Sequence, residues 1–163
     1  MDIVLRRVEH AEHSAIADLW VESWRVAMPQ IDFDARRAWF ADRLQTLEKD
    51  GATILCACEG SFGPPLGFLT IDTKTGWLDQ LVVSPRVYGG GVASFLLDAA
   101  KQLAPERIKL DVNQDNARAL RFYTREGFCR RGEGVNPRSG LKTWILEWRR
   151  APIEENNQPA STA

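Results

Sequence analysis

Residues 78–103 read LDQLVVSPRVYGGGVASFLLDAAKQL, and this stretch carries the strongest structural signal in the chain. It opens with strand-forming residues, which Pro85 interrupts because proline cannot donate a hydrogen bond to a β-ladder. Three glycines, Gly89 to Gly91, follow and permit backbone conformations that side chains forbid. Apolar residues then recur at helical spacing from Val92 to Leu103, which predicts an amphipathic helix that begins at the glycines.

A strand, a glycine loop and a helix N-terminus in this order are typical of an anion site. Unpaired backbone N–H groups converge there, and the positive end of the helix dipole adds to them. We interpret the loop as a pyrophosphate cradle. A dinucleotide-binding G-x-G-x-x-G fingerprint is excluded because Ser94 stands at its sixth position, and a P-loop is excluded because no lysine accompanies the glycines.

Two motifs resemble those of the GCN5-related N-acetyltransferase (GNAT) family. Residues 83–93, VSPRVYGGGVA, resemble its motif A, V-x-P-x-x-[QR]-[GR]-x-G-x-[GA], except that Tyr88 stands where the family usually has Gln or Arg. The loop thereby lacks a polar or cationic group, so pyrophosphate binding must rely on backbone amides. Residues 111–128, DVNQDNARALRFYTREGF, resemble motif B, N-x-x-A-x-x-[LF]-Y-x-x-x-G-F, with Asn116 and Tyr123 in register.

The resemblance implies an α/β (α+β) fold, the GNAT acyl-CoA N-acyltransferase fold. In this fold a mixed central sheet of six to seven strands is flanked by about four helices. We expect a single acetyltransferase domain over residues 1–150 and a disordered tail over residues 151–163, which have little apolar surface.

The pattern along the chain agrees with the order β-α-α-β-β-β-α-β-α-β-β. Period-two alternation and turn residues predict strands at 3–8, 52–58, 66–72, 77–83, 108–112, 128–131 and 142–149. Helical spacing predicts helices at 12–27, 92–103 and 113–126, and one that Asp34 caps and Gly51 closes. A polar loop at 132–140 would join the last two strands.

Composition narrows the function classes. With 21 basic and 22 acidic residues the net charge is −1, so neither a nucleic-acid stripe nor a polybasic membrane patch is indicated. The N-terminus lacks the apolar segment of a signal peptide, and we expect a cytoplasmic protein. Cys56, Cys58 and Cys129 are predicted to be buried free thiols, and no metal site is expected because further ligands at zinc spacing are lacking.

The resemblance implies acetyl-CoA as cosubstrate. The amides of the glycine loop and the following helical turn would bind its pyrophosphate, and the preceding strand would hold the pantetheine arm. A bulge in that strand would open the slot for the arm, and the N–H of Val83 or Leu81 would polarise the thioester carbonyl. The residues expected to contact the cofactor are Leu81, Val82, Val83, Gly89, Gly90, Gly91, Val92, Ala93, Ser94, Asn116 and Tyr123.

Tyr123 matches the family's general acid. A phenol with a pKa near about 10 can protonate a departing thiolate whose conjugate acid lies near about 8.5. The base is left open between Asp79 and Asp111, which lie on successive strands, and we place Asp79 first. Either carboxylate would act through a water because aspartate is short, and either is equally explained as an ordinary strand carboxylate.

The acceptor region implied by the resemblance is aromatic. Trp20 and Trp24 are one turn apart and fit a shared core face; alternatively Trp24, with Trp77, walls a pocket for an amine with an apolar body. We expect an N-acetyltransferase that moves acetyl from acetyl-CoA to the primary amine of a small molecule by direct attack. The alternatives are a protein N-terminal acetyltransferase and a catalytically silent acyl-CoA-binding domain. A homodimer is possible, since dimers are common in the family.

Overall fold

A computed structural model describes residues 1–151 of the protein. Within them lie seven strands and four α-helices, in the predicted order. The strands are β1 Ile3–Arg7, β2 Thr53–Glu59, β3 Pro65–Ile71, β4 Leu78–Val83, β5 Arg107–Asn113, β6 Cys129–Val135 and β7 Lys142–Arg149. The helices are α1 His13–Ala27, α2 Arg37–Lys49, α3 Val92–Leu103 and α4 Ala117–Arg125; none of these four has the length and apolar character of a membrane span. The predicted tail from residue 152 onward lies outside the described residues.

The seven strands form two antiparallel half-sheets that meet at one point. One half has the order β1-β2-β3-β4 and the other β5-β7-β6. A parallel bridge between Trp77 and Lys109 joins them, and the Lys109 N–H donates to the Gly76 carbonyl at 2.9 Å. A side chain at Gly76 would bring its Cβ to 2.2 Å from the carbonyl oxygen of Arg107, so only glycine permits this approach. Beyond the bridge β4 and β5 are not paired, which leaves a slot between them.

A β-bulge in β4 sets which side chains face the slot. Ile71 of β3 pairs with Leu78 and Thr70 pairs with Gln80, so Asp79 is the extra residue. The bulge reverses the alternation of β4. Leu81 therefore packs toward α3, whereas Val82 packs toward α1.

Two hydrophobic cores cover the two faces of the sheet. Core one lies under α3 and α4 and includes the fully buried Leu69 and Leu96; core two lies under α1 and α2 and includes Phe40 and Phe68. Consecutive residues of β3 thus serve opposite cores, which is why this central strand is apolar along most of its length. Because β4 contributes side chains to both cores, packing on both faces of the sheet holds this strand and the loop after it in position.

Three predicted boundaries need correction. Helix α4 begins at Ala117 and not at residue 113, because Asn113 still pairs with Thr143 of β7. Strand β6 extends to Val135, so the loop before β7 is 136–141 and not 132–140. Sequence pattern missed this extension because β6 carries two glycines and alternates only weakly in burial.

Two single-residue predictions are also wrong. Asp34 does not cap α2; it opens a short 3₁₀ turn, and its carboxylate accepts hydrogen bonds from Arg25 at 2.6 and 2.8 Å. Cys129 is exposed, whereas Cys56 and Cys58 are buried as predicted. Cys129 begins an outer strand of the small half-sheet, where one face remains open to solvent.

Candidate active site

A cleft of about 720 Å³, the first cleft, opens where β4 and β5 separate. The end of β4, the glycine loop with the start of α3, and α4 form its walls. The predicted cofactor residues that line it are Leu81, Val82, Val83, Gly89, Gly91, Val92, Ala93, Ser94, Asn116 and Tyr123. Gly90 lies outside the lining and donates its N–H to the Val87 carbonyl at 3.1 Å. The fold thus brings residues from four separate stretches of sequence around one cavity.

The glycine loop leaves a set of backbone donors at the base of the first cleft. Gly89 and Gly91 adopt φ values of 79° and 81°, the left-handed region that favours glycine. Gly91 caps α3, and the first helical hydrogen bond runs from Phe95 N to its carbonyl at 3.0 Å. The helix therefore offers no acceptor to the amides of residues 92–94, which with the helix dipole suit an anion.

Helix α1 closes the first cleft at the end of β4. The buried Ser23 hydroxyl donates to the Val83 carbonyl at 2.9 Å, which ties the helix to the strand. Trp24, on the next position of α1, lines the cleft as a result.

Tyr123 stands on α4 with its ring enclosed between two phenylalanines. Its ring centroid lies 5.1 Å from that of Phe122 and 5.2 Å from that of Phe128, both in edge-to-face contact. The side chain is 7% exposed yet lines the first cleft. Burial raises the pKa of the Tyr123 phenol, since the charged phenolate is disfavoured away from water. The phenol therefore keeps its proton at physiological pH.

Asn116 caps the start of α4. Its side-chain oxygen accepts from the Ala119 N–H at 3.2 Å, which is a helix N-cap. The side chain lines the first cleft at the same time. The cap fixes the residue next to the cavity without excluding a further contact.

Three arginines of α4 line the first cleft and were not predicted as site residues from the sequence. The Arg118 guanidinium lies 3.6 Å from the centroid of the Tyr88 ring. Arg118, Arg121 and Arg125 all line the cleft and follow the i, i+3, i+7 spacing of one helix face. Within residues 1–151 none of the three forms an ion pair. The spacing was visible in the sequence, but its relation to Tyr88 was not.

A second cleft, of about 110 Å³, lies between α1, the start of α2 and the loop 136–141. Its aromatic lining consists of Trp20, Trp24, Phe33 and Trp39, and Gln80 and Asn113 add polar groups. The Trp24 ring stacks on Phe33 with centroids 5.6 Å apart. Trp24 lines both clefts, so its side chain is a wall that the two cavities share.

The two candidate bases lie beside the second cleft and differ in their partners. The Asp79 carboxylate accepts from the Arg43 guanidinium at 2.8 Å. Asp111 forms no ion pair within the described residues. Partial desolvation, and then the nearby charge of Asp79, raise the pKa of the Asp111 carboxyl. Neither carboxylate is part of the lining of a cleft. Gln80, the residue after Asp79, and Asn113, two residues after Asp111, line the second cleft.

Trp77 is set apart from the other predicted site residues. It lies at the hairpin end of β4, in the bridge to Lys109, and lines neither cleft. Trp24 is the one of the two predicted acceptor tryptophans that the fold brings to a cavity.

The chain is similar in sequence to known acetyltransferases. The model of the acetyltransferase (GNAT) family matches residues 13–128. Peptidyl-lysine N-acetyltransferase YiaC of Escherichia coli (strain K12) is 27% identical over 158 residues, which cover 89% of this chain and 96% of the relative. Peptidyl-lysine N-acetyltransferase YjaB of the same organism is 28% identical over 130 residues, covering 78% of this chain and 83% of the relative.

Solved structures share the fold. The solution structure of apo-form YjaB from Escherichia coli superposes with a TM-score of 0.74 at 25% identity, covering 93% of this chain and 100% of that one. The PaiA N-acetyltransferase from Thermoplasma acidophilum, solved in complex with coenzyme A, gives a TM-score of 0.74 at 18% identity, covering 91% and 99%. The family match spans most of the chain and lies on the fold and cleft described above. The chain therefore belongs to the GNAT family and is an acetyl-CoA-dependent N-acetyltransferase, as its motifs predict.

Proposed function

We propose that the protein transfers an acetyl group to a primary amine at the end of an aliphatic chain, which enters through the second cleft. The observation that carries this proposal is that one side chain, Trp24, lines both clefts. The family resemblance alone predicts a small-molecule amine as acceptor. The relatives named as peptidyl-lysine N-acetyltransferases favour the lysine side chain of a peptide, and we now place that acceptor first.

The first cleft has the features that coenzyme A requires. The amides of residues 92–94 and the left-handed Gly89 and Gly91 form a cradle for the pyrophosphate. Arg118, held on the ring of Tyr88, supplies the cation that motif A usually carries in the loop itself. The edge of β4 is open for the pantetheine arm, and acetyl-CoA brings the thioester whose acetyl group is transferred.

Tyr123 is the general acid in this proposal. Its raised pKa keeps the phenol protonated and also makes it a weaker acid, so transfer of its proton relies on the departing thiolate being desolvated, and thus more basic, in the same cleft. The two phenylalanines that enclose the ring restrict its orientation. The side chain lines the first cleft although it is only 7% exposed, so it can reach a thiolate that departs there.

The ion pair with Arg43 favours Asp111 over Asp79 as the base. The Asp79 carboxylate already accepts from the Arg43 guanidinium at 2.8 Å, so fewer of its lone pairs are open to a water or an amine. Asp111 has a raised pKa and so a greater proton affinity. It would take the amine proton through a water, since neither carboxylate lines a cleft.

The size of the second cleft limits the part of the acceptor that it can enclose. Its volume of about 110 Å³ is small, whereas pockets for whole drug-sized ligands run to about 300–1,000 Å³. It suits the end of one aliphatic chain between aromatic rings, with the remainder of the acceptor outside. A lysine side chain has this shape.

The test is the release of free thiol from acetyl-CoA with four acceptors. These are a lysine peptide with a blocked N-terminus, a free-N-terminal peptide without lysine, a polyamine and an amino-acid amide. We expect the lysine peptide to be turned over fastest and Tyr123→Phe to lower turnover by roughly tenfold or more. Acetyl-CoA affinity should be unchanged in that variant.

Tyr88→Phe is the matched control, because it removes the hydroxyl of the only other tyrosine and keeps the ring under Arg118. Equal turnover in wild type and Tyr123→Phe would remove the acid assignment. Faster turnover of the free N-terminus, or of a small amine alone, would overturn the lysine assignment. Tight binding of acetyl-CoA with no turnover of any acceptor would contradict the proposed function as a whole.

A further inference from the structure

Two arginines of the second cleft form no ion pair among the residues that the structure describes. Arg36 and Arg138 both line this cleft. Arg36 lies 5.4 Å from the centroid of the Phe33 ring, and Arg138 lies 3.6 Å from that of Trp39. We propose that these two guanidinium groups form an anion subsite that binds a carboxylate of the acceptor, so that the preferred acceptor amine has an acidic group close by. This inference rests on the proposed function and specifies its substrate class.

The charge of the two arginines is available to a ligand. Within residues 1–151 neither Arg36 nor Arg138 lies in an ion pair. The Asp34 carboxylate pairs with Arg25, and the Asp32 carboxylate, four residues before Arg36, accepts from the Ala35 N–H at 3.1 Å. Both guanidinium groups therefore keep their charge for a ligand.

Loop 136–141 holds Arg138 in place through its own hydrogen bonds. The Asn136 side-chain oxygen accepts from the N–H of Arg138 at 2.9 Å and of Ser139 at 3.2 Å. The Asn136 N–H donates to the Leu141 carbonyl at 2.9 Å, which closes the base of the loop. A loop fixed in this way loses little entropy when a ligand binds.

The aromatic rings orient the guanidinium groups for carboxylate binding. A guanidinium carries five N–H donors in its plane, and a face stacked on a ring leaves the edge donors free. Both rings contact Trp20, at centroid distances of 5.4 Å for Phe33 and 6.1 Å for Trp39. The two cations therefore contact one aromatic cluster and line the same cleft, where their N–H donors can bind a carboxylate.

A carboxylate beside the amine can come from two sources, and the test separates them. One source is a glutamate or aspartate that flanks the lysine of a peptide, and the other is the carboxylate of a small amino acid. The acceptors are a lysine peptide with glutamate neighbours, the same peptide with glutamine neighbours, 6-aminohexanoate and its amide. Thiol release gives kcat and KM for each, and isothermal titration calorimetry gives the affinity for each without turnover.

The variant is Arg138→Gln, and the matched control is Arg130→Gln. Arg130 also stacks on a tryptophan, 4.4 Å from the Trp144 centroid, but lines neither cleft. We expect wild type to bind the acidic peptide roughly tenfold more tightly than the glutamine peptide. Arg138→Gln should abolish most of this preference through KM, with kcat and acetyl-CoA affinity unchanged, and Arg130→Gln should retain it. The preference should also weaken as salt rises.

The anion subsite would be overturned by equal affinity of wild type within both pairs of acceptors, the acidic and glutamine peptides and 6-aminohexanoate and its amide. A preference that survives Arg138→Gln would overturn it as well. A preference for 6-aminohexanoate over its amide, with none between the peptides, would support the subsite and assign it to a small amino acid. Acetylation without any charge preference would remove this inference and leave the proposed function standing. Charge-dependent binding with no acetylation would support the anion subsite and contradict the proposed function.

Discussion

Asp111 shows how the surroundings of one residue set its properties. The carboxyl is exposed on one side, but partial desolvation and the neighbouring Asp79 raise its pKa. A raised pKa means that the ionised form is less favourable in the folded protein than in the unfolded chain. The penalty is full above the folded pKa and vanishes below the ordinary carboxyl pKa, where both states are protonated.

We therefore expect Asp111→Asn to be more stable than wild type at pH 7 and less active. The gain in the free energy of unfolding should shrink as pH falls and disappear near about pH 3, below the ordinary Asp pKa. Urea unfolding at several pH values measures the stability, and thiol release measures the activity. A variant as active as wild type would exclude Asp111 as the base, and Asp79→Asn provides the comparison.

Arg118 and the Tyr88 ring beneath it are expected to act together in coenzyme A binding. Arg118→Gln should weaken coenzyme A binding by roughly three- to tenfold, because a charge-assisted contact to phosphate is lost. Tyr88→Ala should have a similar effect through loss of the ring, whereas Tyr88→Phe should not. Isothermal titration with coenzyme A measures all three. Unchanged affinity in Arg118→Gln would show that the backbone amides bind the phosphates alone.

At the scale of elements, the unit from β4 to α3 combines three local features. Pro85 follows the strand after one residue, Gly89 and Gly91 adopt left-handed angles, and Gly91 caps the helix. The bulge at Asp79 turns Leu81 and Val83 toward α3 and Val82 toward α1. Each feature is local in sequence, so the unit has the conformation that its own residues favour.

Gly91→Ala tests this unit. A Cβ at Gly91 would meet no described atom within 4 Å, so the cost is backbone strain at φ 81° and not a clash. We expect the free energy of unfolding to fall by about 1–2 kcal/mol. Coenzyme A should also bind more weakly, since relief of the strain moves the cradle amides.

Gly132→Ala is the matched control for this prediction. Gly132 likewise has open space around its Cβ position but no left-handed φ, so neither stability nor affinity should change much. Equal effects of the two substitutions would mean that the left-handed angle at Gly91 is not required.

At the scale of the whole molecule, two half-sheets share a single bridge and then diverge. The first cleft lies in this divergence, with β4 on one side and α4 on the other. A ligand in the cleft contacts both halves at once. Its binding energy should therefore add to the stability of the complete fold.

Coenzyme A should raise the melting temperature of the protein. At a concentration of about 100 Kd it adds about 2.7 kcal/mol, which corresponds to a shift of about 5–10 °C for a chain of this length. Pantetheine, which lacks the nucleotide and its phosphates, should give a smaller shift at equal concentration. Differential scanning fluorimetry measures both, and equal shifts would contradict a role for the phosphate cradle.

Much of the fold was determined by the sequence itself. The order of elements and the strand–glycine–helix unit follow from periodicity, proline and glycine, all of which act within a few residues. The boundary errors at residues 113 and 132–135 have the opposite origin. Pairing with β7 extends β5 and β6 beyond what their own residues indicate.

The composition of the site was decided only by the tertiary structure. Whether Trp24 or Trp77 reaches a cavity depends on where β4 and β5 diverge, and the sequence does not encode that point locally. Arg118 on Tyr88 and Arg138 on Trp39 are contacts between residues 30 and 99 positions apart along the chain. Such contacts depend on how helices and loops pack on the sheet. The local sequence pattern therefore predicts the phosphate cradle, whereas tertiary packing decides which side chains surround the acceptor.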